Sequence, residues 1–124
     1  MKQIVSTPNA PTAVGPYSQA VLAGNTLYLS GQIGIDPTTQ QLAAGVEAQT
    51  NQVFLNIKAV LSEAGYTLAD LVKVAVFITD MANFAKVNEI YASFLQAPYP
   101  ARSCVSVAAL PKGALVEIEV IAVK

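Results

Sequence analysis

Hydrophobic residues recur along this chain with two different periods, and the points where the period changes divide it into elements. Residues 17–22 and 26–33 are short apolar runs joined by Ala23-Gly24-Asn25. Glycine and asparagine tolerate the positive φ of a tight turn, so the pair reads as a β-hairpin. Asp36-Pro37-Thr38-Thr39 is a turn signal. From 45 to 64 the period lengthens: Val46, Thr50, Val53, Ile57, Val60, Leu61 and Ala64 share one face of a helix, and Gly65 is placed to stop it. Residues 71–79 alternate again, with Val72, Val74, Val76 and Ile78 on one face. Asp80 then caps a second helix whose buried stripe is Phe84, Val87, Tyr91, Phe94 and Leu95, ended by Pro98 and Pro100. Residues 102–109 and 115–123 close the chain as strands around Pro111-Lys112-Gly113, and residues 2–6 supply a further edge strand. This order predicts one α+β domain over residues 1–124, a mixed sheet of five or six strands with two helices packed on one face.

The last strand has two unlike faces. Val116, Ile118, Val120 and Ala122 suit packing under the helices, whereas Leu115, Glu117, Glu119, Ile121 and Val123 form a face that is apolar at its ends and acidic in the middle. Two helices cover only one side of such a sheet. The other side therefore meets either solvent or another copy of the chain. Composition favours the copy: charged residues are 12% of the chain, against about 25% in an ordinary soluble domain. The longest charge-free stretch, from Gln3 to Ile35, is interrupted by Pro8, Pro11, Gly15, Pro16, Gly24 and Gly31, so it makes no spanning helix and no membrane partner is expected. Seven basic against eight acidic residues give a net charge of −1, which argues against nucleic acid as a partner. The short apolar run in Met1-Lys2-Gln3-Ile4-Val5-Ser6-Thr7-Pro8 is no signal peptide, and a cytoplasmic location is expected.

The chain has no histidine and one cysteine, Cys104, which removes imidazole acid–base chemistry, Ser-His and Cys-His pairs, and any intrachain disulfide or CxxC site. What remains is short. Arg102 is the only arginine, and it shares a strand face with Cys104 and Ser106. Its planar fork of donors fits a carboxylate in two-pronged fashion; the bland alternative is an ion pair with Glu117 or Glu119. Those two glutamates lie roughly 7 Å apart on one strand face, where desolvation raises a carboxyl pKa toward useful acid–base values. Either could instead anchor a lysine at a subunit interface. Cys104 lacks a partner that would generate its thiolate, so a small core residue is the simpler reading, with its backbone amide more useful than its sulfur. Tyr17, after the rigid Gly15-Pro16 turn, presents its phenol to a cleft or packs on the hairpin. Gly31, inside a strand pattern, marks a bulge or a close approach.

Three stretches together resemble the RidA/YjgF family of small imine deaminases: Gly15-Pro16-Tyr17-Ser18-Gln19-Ala20, Ser30-Gly31-Gln32-Ile33, and Pro100-Ala101-Arg102-Ser103-Cys104-Val105 running through Leu110-Pro111-Lys112 to Val116-Glu117-Ile118-Glu119. The spacing of Phe84, Val87, Asn88 and Tyr91 is similar too. The resemblance implies a chorismate-mutase-like fold assembled as a homotrimer with clefts between subunits. It implies hydrolysis of short 2-imino acids and their enamine tautomers, released by pyridoxal-phosphate enzymes, to 2-oxo acids and ammonia, without cofactor or metal. Arg102 would hold the substrate carboxylate, Gly31 and Cys104 would flank the substrate, Tyr17 would close the cleft, and Glu117 would position or activate water. Asn88 matches the family pattern and is assigned no role here. Three rival expectations are an endoribonuclease, attributed to some relatives, a non-catalytic regulatory trimer that binds keto or amino acids, and a passive interaction or chaperone-like trimer.

Overall fold

In the computed structural model, which describes residues 1–124, the helical period at 45–64 becomes α1, Val46–Glu63. Gly65 stops it as expected: its φ is +78°, its amide donates to the Ser62 carbonyl at 3.0 Å, and the Tyr66 amide donates back to Leu61 at 2.8 Å. The second helix, α2, is Phe84–Phe94. Asp80 caps not α2 itself but a 3₁₀ turn, Met81–Asn83, that leads into it, accepting the Ala82 amide at 2.9 Å.

The strands are β1 (Lys2–Val5), β2 (Ala20–Ala23), β3 (Thr26–Leu29), β4 (Gln32–Ile33), β5 (Ile35–Asp36), β6 (Gln41–Leu42), β7 (Leu71–Ile78), β8 (Ala101–Ser106) and β9 (Val116–Val123). The main sheet runs β1-β2-β3-β9-β7-β8 and is mixed, because β8 lies parallel to β7 while its other pairings are antiparallel. The run 26–33 is a strand broken at Ser30-Gly31, so β3 and β4 both lie along β9 and the sheet has six strand positions. β5 and β6 form a separate two-stranded ribbon around the turn at 37–39, where Asp36 Oδ1 accepts the Thr38 amide at 2.9 Å.

Two local expectations are corrected. Val72 does not join the buried face of β7, because the register slips between Leu71 and Lys73 and puts Leu71 inward instead. β8 ends at Ser106 rather than 109: its only neighbour, β7, stops at Ile78, whose carbonyl accepts the Val107 amide at 2.8 Å as the last bond between them.

Both helices cover one face of the sheet. Val74, Val76 and Ile78 of β7 and Val116, Ile118, Val120 and Ala122 of β9 are buried there with Val53, Phe54, Ile57, Val60 and Leu61 of α1. Phe54 ties the helices together, stacking on Phe94 at 4.8 Å and meeting Tyr91 edge-on at 5.9 Å. Polar groups of α1 fasten the irregular β4–β5 segment: Asn56 donates to the Ile33 and Ile35 carbonyls, and Gln49 donates to Ala43 while accepting the Leu115 amide. The segment comes so close that a Cβ on Gly34 would sit 2.6 Å from the Gln49 Cα. Neither helix is long and apolar enough to cross a membrane.

Candidate functional site

Strand register decides which candidate residues can meet. Val74 pairs with Arg102 and Val76 with Cys104, so Arg102 and Cys104 lie on the helix-covered side, at the edge of the sheet. Phe77 pairs with Glu117 and Ala75 with Glu119, so both glutamates lie on the opposite, uncovered side. Within one chain, therefore, Arg102 does not pair with Glu117 or Glu119 as the bland reading has it. The only ion pair in the chain is Lys86–Glu47, at 3.9 Å between exposed side chains, and Arg102 has no acidic partner in its own chain.

Arg102 is instead held by neutral groups of α2. Its Nη1 donates to Asn88 Oδ1 at 2.6 Å, and its Cζ lies 4.7 Å from the Tyr91 ring centroid and 5.6 Å from that of Phe84. Phe84, Asn88 and Tyr91 fall at helical spacing on one stripe of α2, which is why a single helix can present all three to one side chain. A guanidinium has five N–H donors, and this arrangement engages one of them. The exposed remainder is a positively charged, semi-rigid fork open to an anion.

Cys104 sits two residues further along the same face, half-buried. Burial pushes its thiol pKa up and the nearby Arg102 pulls against that, with burial the larger effect. The balance disfavours the thiolate, which argues against an activated nucleophile.

On the other face Gly31 and Glu117 are in contact. A Cβ at position 31 would lie 2.8 Å from the Glu117 carboxyl carbon and Oε2, so glycine makes the room that this side chain occupies. Glu117 is half-buried, and burial first, then the neighbouring charge of Glu119, holds its carboxyl above its ordinary value of 4.5. A carboxylate so destabilised is a better proton acceptor than a solvated one. Glu119 is exposed and has no cationic partner in its own chain.

Tyr17 stands apart. It is exposed, in a turn where Gly15 has φ +124°, and its hydroxyl accepts the Val14 amide at 3.4 Å; no hydrogen bond ties it to Arg102, Gly31, Cys104 or Glu117. One chain thus presents two separate groupings on opposite sides of the sheet, Arg102 with Cys104 and Gly31 with Glu117. A cavity of about 530 Å³ between the end of α1 and the segment after α2 contains none of them. A second, of about 320 Å³ on the uncovered face, includes Glu119 with Lys73 and Tyr28. No three Cys, Asp or Glu side chains converge to hold a metal ion. Asn88, which the sequence singled out only by its spacing and left without a role, is the residue that the structure places against Arg102.

Comparison with known proteins places these features in context. The family model described as Endoribonuclease L-PSP matches residues 7–124. Over 123 residues the chain is 50% identical to the 2-iminobutanoate/2-iminopropanoate deaminase of Dermatophagoides farinae, which covers 98% of this chain and 96% of that protein. The crystal structure of RidA from an Antarctic Psychrobacter superposes with a TM-score of 0.97 at 54% identity, covering 98% of this chain and 99% of that one. That of Escherichia coli TdcF with bound serine gives 0.95 at 46% identity, covering 98% of each chain.

Proposed function

The chain belongs to the Endoribonuclease L-PSP family, which includes the RidA proteins, and from that premise we propose that it is a cofactor-independent deaminase of short 2-imino acids. Its substrates are 2-iminobutanoate and 2-iminopropanoate with their enamine tautomers, reactive products of pyridoxal-phosphate enzymes. The observation that carries this reading is the unneutralised guanidinium of Arg102, held by Asn88, Tyr91 and Phe84 with donors to spare. Such a fork grips one small carboxylate. The relatives named as imine deaminases, and the one that holds serine, handle molecules of that size.

The chemistry asked of the protein is modest. Water adds to the imine carbon to give a carbinolamine, the C–N bond then breaks, and a 2-oxo acid and ammonia leave. No covalent protein intermediate forms. Arg102 fixes the carboxylate, and the Gly31 and Cys104 backbones flank the substrate under Tyr17. Glu117 takes a proton from the attacking water and returns it to the departing nitrogen. Positioning plus acid–base help of this kind is worth roughly 10²- to 10⁴-fold, enough for an imine that already hydrolyses readily. Arg102 and Glu117 face opposite sides of their own sheet, so one substrate molecule meets both only in a cleft between subunits. A homotrimer supplies three such clefts and covers the free sheet face.

The test generates 2-iminobutanoate in situ from threonine with a pyridoxal-phosphate dehydratase and follows its trapping by semicarbazide. Active protein diverts the imine to 2-oxobutanoate and slows trapping. An unchanged trapping rate, with an active deaminase as control, would leave the non-catalytic binding trimer ahead. The family's description as endoribonucleases supports a second reading, RNA cleavage. It predicts salt-steep RNA binding, which the charge balance of this chain disfavours.

A further inference from the structure

The contact between Asn88 and Arg102 raises the question of why a neutral amide holds the guanidinium where a carboxylate would hold it more strongly. Arginine only donates, so the atom facing Nη1 must be the amide oxygen, here at 2.6 Å. An aspartate has nearly the same shape, presents the same oxygen, and makes the stronger, charge-assisted bond. It would also cancel the charge. The other groups that hold Arg102, the rings of Tyr91 and Phe84, are neutral as well. The charged residues of α2, Lys86 and Glu89, are exposed and lie off the stripe, and Lys86 is engaged with Glu47. Arg102 is thus immobilised on three sides without meeting an anion.

Resting on the reading of Arg102 as a carboxylate clamp, we propose that Asn88 is a positioning residue that tethers the guanidinium while leaving its charge for the substrate. An exposed arginine on an edge strand would otherwise sample many rotamers and lose that freedom on binding. The tether prepays part of this loss. The aromatic stripe works through its rings: the Tyr91 hydroxyl is buried without any hydrogen-bond partner, so it adds nothing to the hold on Arg102.

A role confined to fastening β8 onto α2 makes the opposite prediction from a neutral tether, and the isosteric variant separates them. If fastening is all that matters, Asn88→Asp preserves function and Asn88→Ala harms it more. If neutrality matters, Asn88→Asp is the worse of the two for ligand binding while folding at least as stably as the parent. The experiment is calorimetric titration of the full-length protein with 2-oxobutanoate, the reaction product, beside thermal melts of each variant. The tether predicts binding weakened by roughly 100-fold in Asn88→Asp, where a fixed carboxylate competes with the ligand. It predicts a loss of roughly 5-fold in Asn88→Ala, where only preorganisation goes. In assays of turnover the Asn88→Asp defect falls on KM more than on kcat. Asn88→Asp binding as well as Asn88→Ala, or better, overturns the proposal. If the parent and Arg102→Ala bind 2-oxobutanoate equally, or neither binds it, the clamp reading itself fails and the tether falls with it.

Discussion

At the scale of single residues, the division of labour follows from what each side chain can do in its surroundings. Arg102→Ala removes the fork and should lower kcat/KM by at least roughly 100-fold, since a charge-assisted pair is lost outright. Cys104→Ser should keep most activity in the same assay, because burial holds the thiol protonated and its backbone is unchanged. Glu117 carries a pH signature. Its folded pKa is raised, so the folded chain holds this proton more tightly than the unfolded chain does. The associated stability is fully present below its ordinary value of 4.5 and is lost as pH rises through the folded value. Glu117→Gln should therefore melt higher than the parent near neutrality, a difference that closes in acid, while losing activity. A melt difference of opposite sign would mean that the carboxylate is stabilised in the fold and would remove the reason to treat it as a base. These residues were legible in the sequence as scarce chemistry on alternating positions. Asn88 showed there only as part of a spacing; its role did not, because an amide on a helix advertises nothing until the arginine opposite is placed.

At the scale of elements, the helices were legible because a strong apolar period overrides local detail. The stripe on α1 is buried where expected, but counting apolar positions passed over Gln49 and Asn56, which are as buried as their neighbours. Their burial has a cause that lies outside the helix: β4 and β5 are too short and broken to pair all their own carbonyls, and the helix supplies donors. Asn56→Leu should thus cost about 2–3 kcal/mol in denaturant unfolding despite gaining apolar volume, because the Ile33 and Ile35 carbonyls are stranded. Gly34→Ala should be at least comparably harmful: its Cβ meets helix backbone, not a flexible side-chain end, and overpacking of this sort costs about 1–3 kcal/mol or more. The irregularity at Gly31 was flagged by a glycine inside a strand pattern, whereas the slip at Leu71/Lys73 and the early end of β8 escaped the sequence for a shared reason. Strand limits are set by the neighbour's hydrogen-bonding edge, and the neighbour is remote in sequence.

At the scale of the whole molecule, the decisive fact is that the sheet separates what the chemistry would unite. Arg102 belongs to the side of β8 that faces α2, and Glu117 to the uncovered side of β9, where Tyr28 and Val105 are also exposed. The two-faced pattern of β9 showed in the sequence that one side lacked a cover, but not that the arginine and the glutamate fell on different sides; that needed the parallel register of β8. If a working site draws Arg102 from one subunit and Glu117 from the next, two inactive proteins contain between them every part of an active one. Arg102→Ala and Glu117→Gln chains, each inert alone, should regain activity when unfolded together and reassembled. In a ring-like trimer formed at random from equal amounts, a given cleft receives an intact arginine from one side and an intact glutamate from the other with a probability of about one quarter. Reassembled mixtures should therefore approach a quarter of the parent's rate per site, whereas mixing the two folded proteins without subunit exchange should give none. Sedimentation of the same mixtures would establish that mixed particles had formed. Their formation without any recovered deamination would mean that the two residues do not serve a shared intersubunit site, and the catalytic role assigned to Glu117 would have to move to a group on the arginine's own face.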